Sequence, residues 1–263
     1  MNAPNPVKSI LIVESHNDAA FIHLLLNKLG VDAELSIVVE HLHKFLDESG
    51  EERRGKEAIG EKLKTVRREL EKKFSNVEKL GVILDFDFPH NWNKAKNLQL
   101  INTSIASAFG AQPTISEEGQ FVTIDTLGLE AGYEGEIQVA CFFTKDSSGE
   151  GNLDTLLLEI RANQAVEVPY ADCLVLWRDC VNQSDSKLKV SPGTFRKIWL
   201  GNFLRSKAKE LGKEGEKILK DFDDKQSEVI SKLGPSVFDL EHDALNPLRD
   251  FLMLFKNTPN ASK

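Results

Sequence analysis

The chain has 263 residues, 41% hydrophobic and 28% charged, with a net charge of −8. This suits one large or two small globular domains with a real core. No apolar run approaches the roughly 18 residues of a membrane span, and the acidic balance gives no global case for nucleic-acid binding.

Taken in chain order, the first pattern is Ser9-Ile10-Leu11-Ile12-Val13-Glu14, a buried parallel strand ending in a carboxylate. The residues ahead of it lack the basic start of a signal peptide, so none is expected. A tight turn and an apolar helix-period segment at 19–29 follow, with Asp18 in the first helical turn. Residues 34–40 form a second strand candidate and 41–50 a loop or short helix. Apolar Ile59, Leu63, Val66 and Leu70 at helical spacing predict a long charged helix over 56–74. Leu80-Gly81-Val82-Ile83-Leu84 is the third strand; it ends in Asp85-Phe86-Asp87 and is stopped by Pro89. Residues 93–109 then read as a helix. This β-α-β-α-β-α order favours a parallel sheet with right-handed crossovers.

The middle turns to β character at 120–124 and 136–143. A polar turn at 145–152 and a helix at 153–161 come next. From about 171 the pattern is mostly helical, with helices expected at 194–211 and 244–255 and a frayed tail at 256–263. A boundary near 183–190 would separate an α/β domain, 1–183, from a helical extension, 184–263, though the extension can equally pack on the same sheet. Cys141, Cys173 and Cys180 are odd in number and lack CxxC spacing, which argues for a reducing, cytoplasmic setting and against structural zinc.

In open α/β sheets, ligands sit just beyond the carboxyl ends of the strands, and two such ends here carry three carboxylates. Residues two apart in a strand face the same way, so Asp85 and Asp87 converge. Like charges this close raise each other's pKa unless a cation compensates, and magnesium is the ordinary cation for oxygen-rich sites. Residues 187–220 hold ten Lys/Arg against three Glu. Such a run is either a solvated helix face or a phosphate-contacting arm beside an acidic metal site.

The pattern Ile12-Val13-Glu14-Ser15-x-x-Asp18, then Val82-Ile83-Leu84-Asp85-x-Asp87, resembles the Toprim domain of topoisomerases, primases and OLD-family nucleases. Within that group the chain is similar to small stand-alone Toprim-like proteins of bacteria. Agreement continues at 151–159, with Asp154 before a helix, and at 238–252. The resemblance implies a Toprim (Rossmann-like) mainly parallel sheet flanked by helices, and a Mg²⁺-dependent nuclease, with Mn²⁺ a substitute, acting on DNA or RNA. It makes Glu14 a metal ligand or general base and Asp85 and Asp87 magnesium ligands. Asp18 and Asp154 match the extra acids of the OLD-type enzymes, which could hold a second metal. Lys197 matches the lysine that steadies transition-state charge. Arg196, Lys197, Arg205 and His16 are the candidate phosphate contacts. Family precedent also raises an ABC-type ATPase partner in an anti-phage system, served by a non-catalytic Toprim-like module. Primase-like nucleotidyl transfer is the weaker third reading, and a homo-oligomer stays open.

One departure is Ser15, where relatives usually have glycine. Ser15 can cap the following helix, which keeps the fold but bears on substrate access. Other signals point nowhere. Gly50 to Lys56 nearly spells a phosphate-binding P-loop, but Glu57 stands where Ser or Thr should meet magnesium, so it reads as a chance match. His41 and His43 read as surface histidines and His23 as a core or boundary residue. Trp92, Trp177 and Trp199 read as packing anchors, with base stacking a second reading for Trp199.

Overall fold

The computed structural model describes residues 8–31, 37–42, 45–46, 50–70, 77–87, 93–110, 112–125, 135–161, 168–184 and 189–256. Its centre is a five-stranded sheet in the order β2-β1-β5-β7-β6. The strands are β1 Ser9–Val13, β2 Ile37–His41, β5 Lys79–Asp85, β6 Val122–Asp125 and β7 Glu136–Thr144. All neighbours run parallel except β6, which pairs antiparallel with β7 at one edge. There is also a two-stranded antiparallel pair, β3 Phe45–Leu46 and β4 Glu52–Arg53, the first of which falls in the 41–50 stretch expected as a loop or short helix.

The continuous apolar runs of β1 and β5 are explained by helices on both faces. Leu11, Val13 and Ile83 point into one cluster, and Ile10, Ile12, Val82 and Leu84 into the other, as a period of two requires. Helices α2 Ile59–Leu70 and α3 Lys94–Phe109 cover the second face. The expected helix over 56–74 starts later, because Gly55–Ala58 forms a tighter 3-10 turn first; residues 71–76 lie outside the described residues.

The first face is covered by α1 His16–Lys28, α4 Leu153–Glu159 and the C-terminal helices. These are α5 Val168–Ser184, α6 Pro192–Ala208, α7 Lys213–Lys220, α8 Phe222–Val237 and α9 Asn246–Met253. Trp199, Phe203, Phe238, Phe251 and Phe255 share one cluster with Leu11 and Phe21, so the C-terminal helices complete the core of the sheet. Trp199 is buried and stacks on Phe203 at 5.4 Å, with the Arg161 guanidinium 5.0 Å from its ring. At 6% exposure the ring is covered by protein, which removes it from base stacking. Trp177 is 42% exposed, against the expectation of an anchor, and Trp92 lies outside the described residues. No described helix is long and apolar enough to cross a membrane. The three cysteines are free thiols, with Cys141 buried.

Gly81 ties the last helix to the sheet centre. A Cβ there would lie 2.6 Å from the Phe255 ring and closer still to Leu11. Gly81→Ala is expected to destabilise the chain by about 1–3 kcal/mol through overpacking, read as a lower urea midpoint at unchanged m-value.

Candidate functional site

Strands β1 and β5 are neighbours, with Val13 opposite Ile83. Glu14 and Asp85 therefore leave the sheet side by side, and the Asp85 amide donates to Glu14 Oε2 at 3.3 Å. Asp85 Oδ1 accepts from the Leu153 amide at 2.9 Å, in the first turn of α4. That turn is fixed by a capping box between Asn152 and Thr155, and it also carries Asp154. Asp18 sits in the first turn of α1, capped by Ser15, whose hydroxyl also donates to Asp18 Oδ2. Ser15 has an extended backbone, φ −138°, so the turn here needs no glycine. Helix N-termini favour negative charge, which helps gather acids from separate segments.

Glu14, Asp18, Asp85, Asp154 and Lys197 line one cavity of about 310 Å³ at the carboxyl edge of the sheet. Burial raises the pKa of all four acids. Asp18 is pushed up to about 7, chiefly by desolvation, with Glu14 and Asp154 adding repulsion against the relief of the Ser15 hydrogen bond. Asp85 lies well above the carboxylate range, from burial and then from Asp18, Glu14 and Asp87. Glu14 is raised by burial against the opposing pull of Lys56, and Asp154 by burial against Lys197. These mutual influences place the five sequence-predicted acids in one electrostatic neighbourhood.

Asp87 differs from the other four. It does not line the cavity, and its Oδ2 is 2.8 Å from the Lys56 ammonium. Its backbone is left-handed, φ 57°, and its amide donates to Gly151 O at 2.6 Å, a strained conformation held by its surroundings. Lys56 is 4% exposed and also donates to Asp85 O at 2.5 Å and to Asn97 Oδ1 at 3.5 Å. Gly55 lies against Glu14, where a Cβ would come within 2.9 Å of Oε1. The Gly-Lys pair that looks like a failed phosphate loop thus belongs to the acid cluster, as a cation for carboxylates.

Of the basic candidates, Lys197 and Arg205 share a second cleft of about 370 Å³ that adjoins the cavity through Lys197 and Gln226. The Arg205 guanidinium lies 4.5 Å from the Phe222 ring. Arg196 is half-buried and lines neither space. His16 is exposed just beyond Glu14, with its ring 3.6 Å from that of His41. His41 is accordingly half-buried rather than a free surface histidine, His23 is a boundary residue, and His43 lies outside the described residues. Sequence reasoning missed Lys56, Asn97 and Gln226. Only the Gly55-Lys56 pair carried a local signal.

The donors are carboxylate oxygens in a buried, charge-repelled cluster, a chemistry that fits a hard divalent ion. Among the described residues no three acidic, His or Cys side chains already stand as a ready coordination group. Fold and site together define an α/β protein with an acid-lined crevice at the carboxyl edge of a mainly parallel sheet. The chain belongs to the DUF3226 family, described as a protein of unknown function, which matches residues 8–253. No curated protein and no solved structure matches it.

Proposed function

We propose that this chain is a divalent-metal-dependent nuclease of the Toprim type, hydrolysing phosphodiester bonds in DNA or RNA. One observation carries the reading: Glu14 and Asp18 from one strand-to-helix turn meet Asp85 and Asp154 from two distant segments around one cavity, with Lys197 at its wall. Those acids would hold Mg²⁺ or Mn²⁺, which when bound polarises the phosphate and lowers the pKa of water. The Glu14 carboxylate takes the proton of the attacking water. The Lys197 ammonium balances charge that develops on the phosphate oxygens. The adjoining cleft with Arg205 offers a path for the flanking phosphates.

The test is cleavage of plasmid DNA and of total RNA by the purified chain, with Mg²⁺ or Mn²⁺ and with excess chelator. Cleavage that appears with metal and stops with chelator is the expected result. No cleavage of either substrate with either metal rejects catalysis by the isolated chain.

A second reading, a non-catalytic module that docks on an ABC-type ATPase, is favoured by one feature. Leu176 and Trp177 stand exposed side by side on α5, an apolar pair available to a partner. Calorimetric titration separates the two: absence of Mn²⁺ binding at millimolar metal favours docking, and binding lost in Asp85→Asn favours the enzyme.

A further inference from the structure

Lys56 bears on how many ions the acid cluster takes, a question that rests on the metal reading above. We infer that the Lys56 ammonium is the resident second cation of this cluster, so that the site takes a single divalent ion from the cavity side. Glu14, Asp18, Asp85 and Asp154 supply its ligands, and Asp87 does not.

Three observations lead there. First, the ammonium is already paired: it lies 2.8 Å from Asp87 Oδ2 and donates to Asp85 O at 2.5 Å and to Asn97 Oδ1 at 3.5 Å. At 4% exposure it is nearly closed to water, so parting from Asp87 would cost a buried charge its carboxylate partner at 2.8 Å. Second, the cradle is itself fixed. Asn97 is fully buried and donates to Phe86 O at 3.1 Å, so one amide group holds both the lysine and the backbone between the two aspartates. Asp87 is further pinned by its amide bond to Gly151 O. Third, the cavity is lined by the other four acids and not by Asp87. An ion on Asp87 would sit beside the Lys56 ammonium, whose like charge repels it. Lys56 thereby occupies, with a fixed protein charge, a position a second metal ion would otherwise fill.

The experiment is Mn²⁺ titration of the full chain by calorimetry, with electron paramagnetic resonance as a second readout. The wild-type chain is expected to bind one Mn²⁺ and to show no spin-coupled pair. Asp85→Asn and Asp18→Asn are expected to weaken binding by roughly 10-fold or more, and Asp87→Asn much less, as a residue outside the first ligand shell. Lys56→Met, which frees Asp87, is expected to bind two ions with a coupled signal, and Lys56→Arg one. Two coupled ions in the wild type, or equal losses in Asp87→Asn and Asp85→Asn, overturn the inference while leaving metal binding intact. No Mn²⁺ binding by the wild type overturns the metal reading and this inference with it. Should Lys56→Met fail to fold, wild-type stoichiometry and the Asp87→Asn comparison still decide.

Discussion

Asp18→Asn is expected to stabilise the metal-free chain at pH 8 by on the order of 3 kcal/mol, and to leave its stability at pH 4 nearly unchanged. For a chain of this length that corresponds to a melting temperature higher by roughly 6–12 °C. Asp18 is 5% exposed, and its pKa rises in the fold from 3.8 to about 7. Between those values the folded chain keeps a proton that the unfolded chain has released. The stability linked to this group is therefore fully present below about pH 4 and is lost as pH rises through 7. An asparagine carries no charge to desolvate and keeps an oxygen for the Ser15 hydroxyl. Thermal melts in chelator at pH 4, 6 and 8 measure the effect, and a difference independent of pH would remove it. Mn²⁺ at pH 8 is expected to reverse the ranking, because metal displaces the protons and the variant lacks a ligand.

Glu14→Gln is expected to lower metal-dependent cleavage by roughly 10²–10⁴-fold without unfolding the chain, the range for loss of a positioned general base. The amide oxygen of glutamine can still accept from the Asp85 amide, so the strand ends keep their spacing. What disappears is the negative charge and the ability to take a proton. Initial rates of plasmid nicking at saturating Mg²⁺ supply the measurement, and equal rates would deny Glu14 its role. Arg196→Ala serves as the control, since Arg196 lines neither cavity nor cleft, and its rate is expected to match the wild type.

Part of this site was legible before any coordinates. Glu14 and Asp85 announce themselves because each closes an apolar run that has no polar alternation, the mark of a strand covered on both faces, and Asp87 follows two residues on. Asp154 follows a Gly-rich turn and precedes a helical pattern, so its place in a first turn was also readable. Lys56 was not. Its pairing with Asp87 crosses 31 positions of sequence, and the nearby residues resemble a phosphate loop strongly enough to direct attention to the wrong chemistry. Trp177 shows the opposite failure: a tryptophan's large apolar ring favours burial, yet it is 42% exposed on α5.

By itself the sequence determined the layered plan, because periodicity is a local property that each segment carries whatever its neighbours do. A run buried on both faces demands helices above and below, and a carboxylate at its end must emerge at the sheet edge. Only the tertiary structure decided which acids face the cavity and which one turns away to a lysine. It alone also set the C-terminal aromatic residues against Gly81 and Leu11. Those outcomes depend on register between strands and on which side chain reaches a buried charge first, and contacts between distant segments leave no periodic trace in the chain.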